Sequence, residues 1–239
     1  MEITKLDSPI DVMYLIHKAL RAEAARMEKM AAELEVGGSL QPFRLAFNLW
    51  AVALGYHAAA EDEYMTAPLA NCPPARDNEA EHADLGQRLQ DMAGCMDPDD
   101  TKELAHRVRE AMASLNEEQH KELTQKLEDV RAVLNEEIGK TKLIDRTKRH
   151  LFGRIVALHI AQDDHLDNEE AFVLPVVRER MSEAEQLEVA RRLLIDEIDE
   201  NSQTQSWIVE WVARELTPGE RRLLAGLEAR FKTLAASAP

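Results

Sequence analysis

Two His-x-x-x-Glu pairs carry the chemistry legible in this 239-residue chain: His57 with Glu61, and His165 with Glu169. Residues four apart share one face of a helix, so each pair sets an imidazole nitrogen beside a carboxylate oxygen. That donor set suits a borderline metal such as iron, manganese or zinc. Each pair is followed by an acidic residue (Asp62, Glu170), an apolar segment and a proline (Pro68, Pro175). Two such helices facing each other supply four ligands, and His17 and His82 fall where two further helices could supply two more. The same spacing also makes ordinary surface hydrogen bonds worth roughly a few tenths of a kcal/mol. His106 and Glu110, among Arg107 and Arg109 and off the best apolar stripe, read as such a solvated pair. His120 reads the same way, and His159, four before Asp163, is assigned to the surroundings of the site or to the surface.

The elements that must position these residues are helical. Ala, Leu, Glu, Arg and Met abound, all good helix formers, and alternating β-branched runs are nearly absent. A first helix follows Ser8 as cap and Pro9 at its first position. Its stripe is Met13, Ile16, Leu20, Ala24, Met27, Ala31 and Leu34, with His17 beside it, and Gly37-Gly38 ends it. A second helix, from about Ser39 past Tyr64, places Phe43, Phe47, Trp50, Leu54, His57, Glu61 and Met65 in line. Glu61 is informative, because a carboxylate continuing an apolar stripe is costly to bury without a metal or a hydrogen-bonded partner. Asn71-Cys72-Pro73-Pro74 breaks the chain. A third helix over about 75–92 aligns His82, Leu85, Leu89 and Met92. A further helix over about 142–167 aligns Leu151, Ile155, Leu158, Gln162 and His165. Phe172, Val173 and Leu174 continue its apolar trend, and Pro175 kinks or ends it.

Between these, residues from about 101 to 138 read as an added helical hairpin or arm. After Met181 come a short helix over 182–195, an acidic stretch over 196–201, and a helix over 203–216 with Trp207 and Trp211 as a packing ridge. A last helix is opened by Thr217 as cap, Pro218 at its first position and Glu220 at its third.

Bulk properties narrow the function. The formal net charge of -16 repels nucleic-acid backbones and anionic lipid, while cations are tolerated. Cys72 and Cys95 are too few for a disulfide framework and read as thiols of a reducing compartment. The N-terminus lacks the pattern of an export signal, and no apolar run approaches the ~18 residues of a spanning helix. A cytoplasmic location is the expectation.

Collected, the candidate metal ligands are His17, His57, Glu61, His82, His165 and Glu169. Four imidazoles and two carboxylates exceed the needs of one tetrahedral zinc. They fit two ions preferring octahedral surroundings, with carboxylates bridging and imidazoles terminal inside a helix bundle. Two such ions can share a two-electron change with dioxygen or peroxide.

This constellation resembles the hemerythrin-like, or HHE cation-binding, family over about residues 8 to 178. The matching pieces are His17 within His17-Lys18-Ala19-Leu20-Arg21, His57 with Glu61, Glu81-His82, and His165 with Glu169-Glu170 and Pro175. The resemblance implies an all-α, up-down-up-down four-helix bundle over residues 1–180, with helices inserted before the fourth ligand helix. Residues 181–239 are then a C-terminal helical extension packed on the bundle. It also implies a non-haem di-iron centre, oxo- or carboxylate-bridged, for which manganese or zinc could substitute. The expected ligand is dioxygen, peroxide or nitric oxide, bound or turned over in an oxidoreductase reaction. Oxygen-carrying members tend to have a histidine four before the third-helix histidine; here that position is Asn78, which argues against reversible oxygen carriage. Tyr14 and Tyr64, each near a candidate ligand, could ligate oxidised iron or supply an electron, or simply fill helix boundaries. The competing reading is a non-catalytic iron or oxygen sensor, or a metal-stabilised interaction module, coupled to the helices after 181. The added helices could also join two copies of the chain. The plainest alternative is a structural helical protein without a metal.

Overall fold

The computed structural model describes residues 2–94, 145–195 and 206–235, which are helical wherever they are regular. The expected arm over 101–138 and the acidic stretch over 196–201 lie outside the described residues, as do His106, Glu110 and His120. The chain divides into two compact units: Met1–Ala22, Ala60–Glu79 and His165–Pro239 form the first, and Glu23–Ala59 and Ala80–Asp164 the second.

Helix α1 (Val12–Glu33) follows a single 3-10 turn, Pro9–Asp11. Ser8 caps it in an extended conformation, and proline occupies the first position, where no intrahelical N–H is required. The Asp11 carboxylate accepts the backbone N–H groups of Asp7 and Ser8 at 2.7 and 3.0 Å. It also accepts Arg178 Nε and Nη2 at 2.9 and 2.7 Å. Burial would raise the carboxyl's pKa, but the hydrogen bonds from Arg178 and Ser8 hold it below its ordinary range. Beyond the helix, Gly37 takes a positive φ of 82°, a conformation that favours glycine. Met13, Ile16, Leu20, Ala24, Met27 and Ala31 are all buried, as the stripe predicts.

Helix α2 (Gln41–Glu61) buries Phe43, Phe47, Trp50 and Leu54. Within the second unit, the rings of Phe43 and Phe47 stack at 6.4 Å, and Phe47 meets Trp50 edge-on at 5.9 Å. Helix α3 (Pro73–Gly94) opens on both prolines of the predicted break. Helix α4 (Asp145–Asn168) buries Leu151, Ile155, Leu158 and Gln162 on the predicted face. The Gln162 carbonyl accepts Trp50 Nε1–H at 2.8 Å inside the second unit.

Both helices bearing a His-x-x-x-Glu pair widen at or just after its glutamate. Residues Asp62–Thr66 and Glu169–Val173 form π-type turns, in which Ala67 N–H bonds to the Asp62 carbonyl and Leu174 N–H to that of Glu169. Each turn starts six residues before a proline, Pro68 or Pro175. A proline ring clashes with the carbonyl four residues back and offers no N–H. One extra residue in the preceding turn relieves that conflict. Pro175 therefore does not stop the chain, and helix α5 (Leu174–Arg180) follows directly. The inserted residue also turns Phe172 outward, to 61% exposed, where an unbroken helix would have kept it on the face of Glu169. Leu174, five residues beyond Glu169, is buried instead.

In the first unit, helix α6 (Glu183–Leu194) starts with a reciprocal Ser182–Glu185 cap. It packs against the Pro9–Asp11 turn and the Asp62–Thr66 turn. Helix α7 (Trp207–Arg214) is capped by Ser206 and buries Ile208, Trp211 and Val212. Helix α8 (Pro218–Ala235) has the predicted reciprocal cap: Glu220 N–H donates to Thr217 Oγ1 at 3.3 Å and Thr217 N–H to Glu220 Oε2 at 2.8 Å. Among the described residues, no helix is long and apolar enough to cross a membrane.

Candidate metal centre

Four of the six candidate ligands lie in the first unit: His17 on α1, Glu61 at the end of α2, His165 near the end of α4 and Glu169 in the π-type turn after it. Each sits on a stripe of otherwise apolar positions, so its side chain is drawn inward with its neighbours. His17, Glu61 and Glu169 are each fully buried, and His165 is 2% exposed. One potential ligand atom from each of His17, Glu61 and Glu169 lies within 4.8 Å of the others, and the same holds for Glu61 with His165. His17 Nε2 is 3.2 Å from Glu169 Oε2, and His165 Nε2 is 3.9 Å from the same oxygen. Asn78 Nδ2 donates to the other oxygen of Glu169 at 3.5 Å. Asn78 thus reaches the Glu169 carboxylate from the position four before His82.

His57 and His82 belong to the second unit. His57 is one turn before Glu61 on α2, and His82 is one turn after Asn78 on α3, so each shares a helix face with a residue just described. Both are buried, at 2% and 1% exposed.

Two further residues of the first unit join the cluster. Glu170 Oε1 lies 2.8 Å from His17 Nδ1. The same oxygen accepts Arg21 Nη1 at 2.7 Å, while Arg21 Nη2 donates to Asp167 Oδ1 at 2.7 Å. The candidate set omitted these residues, although the sequence held a signal: Arg21 is four beyond His17, and Glu170 directly follows a predicted ligand. Tyr14, half-buried, accepts Arg178 Nη2 on its hydroxyl at 3.0 Å. Tyr64 lies under the Arg192 guanidinium, 5.2 Å from its ring centre. In the second unit, His159 is held by Glu28 at 2.7 Å and faces Asp163 at 3.4 Å.

The electrostatics of the cluster favour a cation. Burial alone would push the His17 imidazole down, but the carboxylates of Glu169 and Glu170, with the more distant charge of Glu61, hold it up at about 9. A proton on His17 thus partly neutralises buried acids when nothing else does. Burial raises the Glu170 carboxyl, but His17 and Arg21 together hold it below its ordinary range. Two carboxylate charges within 4.8 Å of each other would repel by at least about 3 kcal/mol at an effective dielectric constant near 20. A divalent ion would remove that repulsion, and imidazole and carboxylate are donors that borderline first-row metals accept.

Buried imidazoles and carboxylates gathered from separate helical segments form a cluster that could hold a metal cation in a helical protein. The family-level comparison agrees: residues 8–117 match the Hemerythrin HHE cation binding domain. The resemblance read from His17, His57-Glu61 and Glu81-His82 is thereby borne out over that stretch. His165 and Glu169 lie beyond the matched residues, and it is the geometry around Glu61 and His17 that joins them to the site. No curated protein and no solved structure matches the chain.

Proposed function

We propose that the chain is a non-haem di-iron protein of a four-helix bundle, holding two iron ions with His17, His57, Glu61, His82, His165 and Glu169. The observation that carries this reading is the meeting of His17, Glu61 and Glu169 within 4.8 Å at full burial, with His165 also in reach of Glu61. His57 and His82 are assigned to the set from their helix faces and burial. When bound, such a metal pair supplies a two-electron exchange with dioxygen, peroxide or nitric oxide. The chain's own residues supply the rest. The buried apolar stripes keep water from the donors, and Asn78 steadies one oxygen of Glu169. His17 can release a proton as a cation enters, since ligand nitrogens must be unprotonated. Tyr14 and Tyr64 stand in the same unit as electron-rich side chains, but the reading does not depend on them. Small diatomic or peroxide ligands are the partners, and the acidic chain is read as cytoplasmic, away from nucleic acid and membrane.

The test is metal content and optical spectrum of protein purified from iron-replete cells. About two irons per chain are expected, with visible charge-transfer bands on adding peroxide or oxygen. His57→Ala and Glu169→Ala should each lose iron. Retention of both irons in both variants would overturn the assignment.

A sensor reading draws on one particular contact. Helix α6 packs on the Asp62–Thr66 turn that follows Glu61, and its Arg192 covers Tyr64 in that turn. A change at Glu61 would be felt by α6 through this turn. Metal-dependent protection of residues 182–235 from protease, without turnover, would favour it over the oxidoreductase.

A further inference from the structure

We propose that Glu170 is a positioning residue for the metal centre. It accepts the Nδ1 hydrogen of His17 and, backed by Arg21 and Asp167, fixes which ring nitrogen His17 presents to a cation. This inference rests on the metal reading above and assigns a role to residues outside the six ligands.

The argument starts from the hydrogen inventory of imidazole. A neutral ring has one N–H and one lone pair, and which nitrogen holds which is set by the surroundings. An ionised carboxylate can only accept. Glu170 Oε1 stands 2.8 Å from Nδ1, so the hydrogen belongs on Nδ1. With a cation bound the ring is neutral, so the lone pair is then on Nε2, the nitrogen 3.2 Å from Glu169 Oε2. Nε2 therefore faces Glu169 and Nδ1 faces Glu170. The ring is fully buried and cannot reorient freely.

Glu170 is itself held. Its side chain is 25% exposed and would be free to leave, but Arg21 spans it and Asp167 with two bonds of 2.7 Å. Asp167 and Glu170 are three apart on one helical segment, and His17 and Arg21 four apart on another. The result is a bracket across the two segments. Partners of this kind behind a ligating histidine fix its ring orientation and raise its basicity, and their loss typically costs about 10- to 100-fold in metal affinity.

The test uses the full chain. Co(II) affinity is measured by titration for the wild type, Glu170→Ala, Glu170→Gln and Arg21→Met. The His17 ring nitrogens are then followed by two-bond ¹H–¹⁵N correlation spectra of the Zn(II)-loaded protein. We expect Glu170→Ala to weaken Co(II) binding about 10- to 100-fold and to lose the protected Nδ1–H signal. Glu170→Gln keeps a carbonyl acceptor, so it should retain that signal and stay much closer to the wild type. Arg21→Met should fall between them. Melting of the metal-free variants shows that they fold. If Glu170→Ala binds Co(II) like the wild type with Nδ1–H unchanged, or if Glu170→Gln is as damaging as Glu170→Ala, the role is wrong. A wild type that takes up neither Co(II) nor Zn(II) would instead overturn the metal reading itself.

Discussion

Replacing Glu220 with glutamine should produce a stability loss that disappears in acid. The Glu220 side chain is fully buried at the start of α8 and collects four bonds. Lys18 Nζ reaches both of its oxygens at 2.8 and 2.6 Å. The backbone N–H groups of Ile3 and Thr217 donate at 3.0 and 2.8 Å. Burial alone would raise the carboxyl; the bonds from Ile3, Lys18 and Thr217 outweigh it and bring it from 4.5 to about 2. A shift of that size corresponds to roughly 3 kcal/mol of coupling. Lys18 is 28% exposed, so screening by solvent brings the expectation to roughly 2 kcal/mol. The folded pKa lies below the unfolded one, so the contribution is fully present above about 4.5. It is lost as the pH falls from there through about 2. The assay is urea denaturation of wild type and Glu220→Gln at intervals from pH 7 to pH 3. The gap between them should be widest at pH 7 and narrow steadily below 4.5. A gap unchanged at pH 3 would refute the electrostatic argument and leave only lost packing. Because Lys18 adjoins His17, the Glu220 anchor also fixes the turn of α1 that presents the imidazole.

Two further outcomes follow from the second unit and from the π-type turns. Trp50→Phe should cost about 1–3 kcal/mol, because it leaves the buried Gln162 carbonyl without its 2.8 Å donor. Adding Gln162→Leu should return much of that loss in a double-mutant cycle, and strictly additive losses would count against the bond. Pro175→Ala restores an N–H able to bond the Ala171 carbonyl and so favours an unbroken helix. It should leave thermal stability equal or higher while weakening Co(II) binding by tilting Glu169; weaker melting with unchanged binding would contradict the account of the turn.

Much of the fold was readable because it is written in short-range patterns. The stripes of α1 to α4 and the caps at Ser8 and Thr217 depend on neighbours within one or two turns, and they are found where periodicity and capping chemistry put them, save Leu34, which lies past the end of α1 and is only half-buried. The inward positions of His17, His57, Glu61, His82, His165 and Glu169 were readable for the same reason. The bracket of Glu170 and Arg21 was only hinted at. Their places beside Glu169 and one turn after His17 are local, but the bonds themselves join residues 149 and 153 positions apart, which no short-range pattern displays. Glu220 shows both sides: its cap with Thr217 is local, and its hold on Lys18 spans 202 positions. The facing of Phe172 was not readable for a different reason. Its outward turn depends on one inserted residue, which a 3.6-residue period does not show.

The two widened turns tie length to facing. Each residue of an α-helix advances the chain by about 100°, so removing one residue between Glu169 and Pro175 would swing every side chain of Leu174–Arg180 about that far around the axis. Arg178 would be carried off Asp11, and Phe172 would be pressed into the space Leu174 now fills. The spacing from glutamate to proline therefore acts as a dial, setting how the far end of the rod is clocked against the ligand it carries.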